Sequence, residues 1–199
     1  MSRDGATPSQ TVGPFFRLGM DRPEWSDLTR GGARGEKIAI EGRVLDGDGA
    51  PVDDAVLEIW QADAEGSYDH PDDGRPADPR FHGFGRAMTD EAGRYRFVTI
   101  KPGAYPWRNH LNAWRPQHIH FSVFGRAFTQ RLVTQMYFPG DPLFFQDPIF
   151  NSVPDEEARQ RMISKFDMSR TVDHWALAYE WDIVVRGREA SVFEDEEDE

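Results

Sequence analysis

Two histidines separated by a single residue, His118 and His120, follow a segment dense in aromatic and cationic side chains, Trp114-Arg115-Pro116-Gln117. On a β-strand successive side chains point to opposite faces, so these two imidazoles project from the same face. Two imidazoles on one rigid element make half a metal site. Trp107, Arg108, Asn109 and Trp114 lie close by in sequence, so the pair sits at the end of what reads as a lined pocket.

The rest of the ligand set has to come from elsewhere. The chain contains no cysteine, which excludes disulfides, zinc–thiolate sites, iron–sulfur clusters and cysteine nucleophiles. Two imidazoles without a thiolate suit Zn, Cu, Fe or Ni. A zinc hydrolase needs a further histidine or acid. His70, His82, His110 and His174 are available, but none completes a His-Glu-x-x-His spacing. A two-histidine, one-carboxylate Fe(II) site needs an acid where His120 stands. Tyrosine is the remaining nearby donor, and its phenolate is a hard anionic oxygen that pairs with Fe(III). Its pKa near ~10 is lowered by coordination to a cation. Tyr68 and Tyr105 both fall in long loops.

The elements that must position these residues are short strands. Alternating apolar residues predict strands over 37–44, 55–61, 94–100, 118–124, 131–138 and 175–185. Asp46-Gly47-Asp48-Gly49 is a hairpin signal that makes 55–61 the return partner of 37–44. One helix is expected over 154–166, opened by Pro154 and Asp155-Glu156-Glu157, with Ala158, Met162 and Phe166 on one face. The fold class is mainly β: a sandwich of short, mostly antiparallel strands with about one helix. The loops at 62–86 and 101–117 are too long to be filler in a compact domain. The expected organisation is an N-terminal arm over 1–35, a catalytic domain over 36–190 and an acidic, disordered tail over 191–199.

Composition narrows the function further. The net charge is −12, half of it in the six acids from Glu194 to Glu199, which argues against nucleic acid as a partner. No stretch is apolar enough to span a membrane, and no signal peptide is visible, so a cytoplasmic location is expected.

Several stretches together resemble the intradiol ring-cleavage dioxygenases. They are Gly42-Arg43-Val44-Leu45-Asp46, Leu57-Glu58-Ile59-Trp60-Gln61-Ala62, Thr99-Ile100-Lys101-Pro102-Gly103, Tyr105-Pro106-Trp107-Arg108-Asn109, Trp114 through Phe121, and Thr134-Gln135-Met136-Tyr137-Phe138. They cover most of residues 7–190 and are most similar to the protocatechuate branch of that family. The resemblance implies a non-haem Fe(III) held by Tyr68, Tyr105, His118 and His120, with Tyr105 the ligand displaced when a catechol chelates the iron. It gives Arg115 the role of stabilising negative charge on the bound ring, Gln135 that of a polar pocket residue, and Trp60 and Trp107 those of aromatic walls. The expected reaction joins a catechol-type substrate to O2, most simply protocatechuate to 3-carboxy-cis,cis-muconate in aromatic catabolism.

The family enzyme is built from two homologous chain types. Thr11, Gly13 and Pro14 resemble the substrate-lining loop of the chain without iron, whereas the ligand set resembles the iron-bearing chain. The expected assembly is thus a homo-oligomer or a hetero-oligomer with a homologous chain. The alternatives are a non-catalytic partner chain, an intradiol enzyme for catechol, hydroxyquinol or sulfocatechol, and a β-sandwich binding module. The last follows, by fold-level analogy alone, from the Gly-x-Val-x-Asp-x-x-Gly-x-Pro-Val-x-x-Ala hairpin at 42–55.

Overall fold

The computed structural model describes residues 15–107, 113–125 and 131–194. In chain order the strands are β1 (Lys37–Leu45), β2 (Val56–Trp60), β3 (Phe84–Met88), β4 (Arg94–Ile100), β5 (Tyr105–Pro106), β6 (Trp114–Arg115), β7 (His118–Phe124), β8 (Leu132–Tyr137), β9 (Lys165–Phe166), β10 (Leu177–Glu180) and β11 (Ile183–Val184). The helices are α1 (Phe15–Met20), α2 (Pro148–Ser152) and α3 (Glu156–Arg161).

Two sheets face each other. One is centred on β1, with antiparallel β4 on one side and β10 and β11 on the other, β9 lying outside β10. The second runs β3-β2-β7-β8, antiparallel throughout. Their inner faces alternate as the sequence does. Ile38 and Ile40 of β1, Phe97 of β4, Leu57 and Ile59 of β2, and Ile119, Phe121 and Val123 of β7 form one buried core. The expectation of a mainly β sandwich therefore holds.

Three local expectations need correction. β1 and β2 are not hairpin partners. The Asp46 turn does close, its carboxylate accepting from Asp48 and Ala50, and Leu45 bridges Pro51. Proline then has no N–H with which to extend a ladder, and the chain crosses to the other sheet. The expected helix over 154–166 is only α3: Asp155 caps it by accepting from the Glu157 N–H, and Met162 ends it. Ala158 and Met162 are buried as expected, but Phe166 is already in a strand. Among the described residues α1 and α2 bring the short α-helices to three. Finally, β10 and β11 pair parallel to β1, interrupted at Trp181 and Asp182. Gly42 faces that interruption, where a Cβ would lie 1.7 Å from the Trp181 carbonyl oxygen.

The body of the protein also runs past residue 190. Phe193 packs on the main core, Val192 on a smaller cluster around Tyr137, Phe150 and Met162, and the Glu194 N–H donates to the Val133 carbonyl at 2.8 Å. Residues 195–199 lie outside the described residues. Among the described residues no helix is long and apolar enough to cross a membrane.

Candidate metal centre

The histidines behave as the alternation of β7 requires. Ile119 points into the core, while the rings of His118 and His120 lie on the opposite face with centroids 4.9 Å apart. Cross-strand pairing extends that face sideways: Trp60 of β2 and Gln135 of β8 flank His120, and Tyr137 of β8 flanks His118.

The tyrosines arrive on loops held by buried polar groups. Tyr105 opens β5, a two-residue strand whose register sets it opposite Arg115 of β6. Tyr68 sits in the loop between β2 and β3, which is folded around Asp63. One carboxylate oxygen of Asp63 accepts from the Glu65 and Ser67 N–H groups, and the other from Asp78. Asp73 accepts from the Tyr68 N–H at 2.8 Å, and Arg75 bridges Asp73 to the Gly66 carbonyl. The two loops touch at glycines. A Cβ on Gly103 would meet the Gly66 nitrogen at 2.5 Å and the Ala64 carbonyl oxygen at 2.6 Å, and Gly66 itself has φ +80°. That close approach brings the Tyr68 and Tyr105 ring centroids to 5.4 Å.

Four donors thus converge. The Tyr105 hydroxyl lies 3.2 Å from His118 Nε2, and the Tyr68 and His120 rings are 6.4 Å apart. His118 Nδ1–H donates to the Pro116 carbonyl at 2.7 Å, which directs the Nε2 lone pair into the site. Burial, reinforced by the Arg115 charge, holds the His118 pKa well below its usual value and pulls His120 down to about 3. Both imidazoles are neutral at ordinary pH, the form that ligates metals. Burial pushes the Tyr68 phenol up, with Tyr105 beside it adding to the shift. Its oxygen is buried and makes no aligned hydrogen bond, with the Tyr105 phenol beside it. A buried hydroxyl left unpaired costs free energy, and a cation among these donors would satisfy it. Among the described residues no three His, Cys, Asp or Glu side chains cluster tightly enough to hold an ion, so any metal here depends on the phenols. The donor set fits a hard trivalent cation.

A second layer fixes Arg115, which is 4 % exposed. Its Nε lies 3.0 Å from Asp147 Oδ1 as an ion pair outside hydrogen-bond alignment. Its Nη2 donates to Gln135 Oε1 and, at 3.1 Å, to the Tyr137 oxygen. The guanidinium carbon stands 5.3 Å from the Trp107 ring centroid. Trp60 packs on the other flank, 4.6 Å from the Tyr68 ring and 5.8 Å from His120.

Two clefts open here. One, of about 390 Å³, is lined by Tyr68, Tyr105, Trp107, Arg115 and Ile149; the other, of about 990 Å³, by Trp60, His120, Gln135, Ile149 and Glu194. A groove of about 590 Å³ elsewhere is walled by paired charges such as Arg43–Asp182 and Arg96–Glu41, and none of the site residues lines it.

Of the residues singled out from sequence, Tyr68, Tyr105, His118, His120, Arg115, Gln135, Trp60 and Trp107 come together. Thr11, Gly13 and Pro14 lie outside the described residues. Sequence reasoning missed Tyr137, Asp147 and Glu194 as neighbours of the site. Tyr137 was accessible, since it follows Gln135 by two residues on one strand. Asp147 before Pro148 is a helix-cap signature but carries no hint of Arg115.

Comparison with known proteins fits this geometry. A family model described as "Dioxygenase" matches residues 13–187. The protocatechuate 3,4-dioxygenase beta chain of Burkholderia cepacia is 57% identical over 175 residues, 84% of this chain and 74% of that one. The alpha chain of the same enzyme from Pseudomonas putida is 34% identical over 95% of this chain and 96% of that one. Among solved structures, hydroxyquinol 1,2-dioxygenase from Pseudomonas putida DLL-E4 superposes with a TM-score of 0.64 at 26% identity, covering 92% of this chain and 67% of that one.

Proposed function

The chain belongs to the intradiol ring-cleavage dioxygenase family, and on that premise we propose that it cleaves protocatechuate with O2 at a non-haem Fe(III) held by Tyr68, Tyr105, His118 and His120. The observation that carries this reading is the convergence of two neutral imidazoles on two phenols, one of which makes no aligned hydrogen bond. A ferric ion held by these four residues would supply Lewis acidity that favours the ionised form of a catechol.

The chain's own residues do the rest. Tyr105 is half-buried on a two-residue strand and lines the smaller cleft, so its oxygen is placed to hold a proton given up by the substrate. Arg115 keeps a full positive charge beside the ring position and is held in place, with Asp147 at Nε, Gln135 and Tyr137 at Nη2 and the Trp107 ring against the guanidinium. Negative charge developing on the ring is met by a charge already in place. Trp60 and Trp107 wall the flanks, and Ile149, common to both clefts, adds apolar surface to each.

Hydroxyquinol dioxygenases also match the chain, one from Rhizobium sp. at 36% identity over 73% of it. The 57% likeness to a protocatechuate chain favours that substrate over hydroxyquinol. Likeness to both a beta and an alpha chain further supports assembly with a homologous partner chain, which mass spectrometry of the protein purified from its native source would identify. Steady-state turnover of protocatechuate, catechol, hydroxyquinol and sulfocatechol by the iron-loaded protein tests the reading. Protocatechuate should give the highest kcat/KM and a ring-opened tricarboxylate. A higher value for another catechol overturns the substrate, and no cleavage of any overturns the reaction.

A further inference from the structure

Glu194 is exposed, it opens the run of six acids that ends the chain, and it reaches the buried site. Its position is set by the backbone. Phe193 and Val192 pack on the two apolar clusters, the Ser191 N–H donates to the Val184 carbonyl at 2.9 Å, and the Glu194 N–H donates to Val133 at 2.8 Å. Val133 lies two residues before Gln135, so both project from one face of β8. Glu194 Oε1 accepts from Gln135 Nε2 at 2.8 Å. The opposite end of that amide, Oε1, accepts from Arg115 Nη2 and from the Tyr137 hydroxyl at 3.0 Å.

A carboxamide has two unlike ends, and its orientation is decided by what each end meets. Arg115 offers only donors, so Gln135 must present oxygen to it. Glu194 is the acceptor that Nε2 reaches among the described residues, and it makes the productive orientation the satisfied one. Without it, Nε2 would have no acceptor in its place, and only the contacts of Arg115 and Tyr137 at Oε1 would hold the amide. The link also joins the two clefts, because Glu194 and Gln135 line the larger and Arg115 the smaller.

We propose that Glu194 is a positioning residue that locks the Gln135 amide and, through it, the Arg115 guanidinium in the orientation required for ring cleavage. The role in turnover rests on the proposed function; the amide lock does not.

The test uses Glu194→Ala, Glu194→Gln, a chain ending at Phe193 and a chain ending at Glu194. In the metal-free protein the side-chain amide proton signals of Gln135 report the lock directly. They should show a bonded, exchange-protected amide in wild type and a free one in Glu194→Ala, with Glu194→Gln keeping the bond through its own carbonyl oxygen. After iron loading, kcat for the best catechol should fall about tenfold in Glu194→Ala and in the chain ending at Phe193. KM should stay within about twofold, because Tyr68, Tyr105, His118, His120, Trp60 and Trp107 are untouched. Glu194→Gln and the chain ending at Glu194 should recover most of the loss. Wild-type amide signals in Glu194→Ala, or a kcat equal to wild type, overturn the proposal, as does a glutamine that restores nothing. An iron-loaded wild type that cleaves no catechol overturns the function instead, and the amide signals still decide the lock.

Discussion

Replacing Tyr68 by Phe removes one oxygen and leaves the ring, which keeps its contacts with Trp60, Tyr105 and His120. In the metal-free protein that oxygen is buried and makes no aligned hydrogen bond. Leaving a hydroxyl in that condition costs about 1–3 kcal/mol, so Tyr68→Phe should stabilise the metal-free protein by about 1–2 kcal/mol. For a chain of this length each kcal/mol moves Tm by about 2–4 °C, which places the variant a few degrees above wild type. Iron reverses the order. A bound ion stabilises in proportion to the logarithm of its concentration over Kd, and Tyr68→Phe offers three donors where wild type offers four. Scanning calorimetry of chelator-treated and iron-loaded samples of both proteins reads the two signs together. If metal-free Tyr68→Phe melted lower than wild type by more than about 2 °C, the hydroxyl would be bonded within the protein, and the argument that it waits for a cation would fail.

Other perturbations read separate parts of the site. His120→Ala should lose iron by more than the ~10–100-fold typical of outer-layer changes, measured by metal analysis after dialysis, with ring cleavage lost alongside. A mere binding module would keep its affinity for catechols. Arg115→Met leaves Asp147, which is wholly buried, with an uncompensated charge, so urea unfolding should show a loss of roughly 3–5 kcal/mol. The metal-free protein should also lose stability on acidification. Both site histidines have folded pKa values below their unfolded value, so the unfolded chain takes up protons first as the pH drops below about 6.5. Each histidine should then cost about 1.4 kcal/mol per pH unit, continuing for His120 down to about 3; a stability profile flat between pH 6 and 4 would contradict this. Gly103→Ala should cost about 1–3 kcal/mol in urea unfolding and weaken iron binding, because its methyl group forces the Tyr68 and Tyr105 loops apart.

Much of the scaffold was legible because burial alternates along it. Residues 94–100 and 118–124 form strands with the expected bounds, and the alternation of Ile119 with His118 and His120 placed the imidazoles on one face. The partner of each strand was not legible. The Asp46 turn looks the same whether the chain returns to its own sheet or crosses to the other, and only the core decides. Helix length was overestimated because Ala158, Met162 and Phe166 keep a helical spacing that Lys165 and Phe166 abandon for pairing with β10. Within the site, His118 and His120 are read from local spacing, and Tyr105 from a loop next to them. Tyr68 is identified through the family resemblance, since its approach to Tyr105 depends on Gly66 meeting Gly103 across 37 residues of chain. Asp147 and Glu194 carry no local mark at all. Their relation to Arg115 and Gln135 exists only once the fold has closed, and the acidic run conceals Glu194 among five similar neighbours.

The central claim is that two phenols and two imidazoles hold a ferric ion. It is tested most directly by the visible absorption spectrum of the protein loaded with Fe(III). Tyrosinates bound to ferric iron give a broad charge-transfer band, so the account predicts a burgundy-red protein whose colour is weakened by Tyr68→Phe and changes when a catechol is added without oxygen. A protein that stays colourless and inert after ferric loading would contradict it.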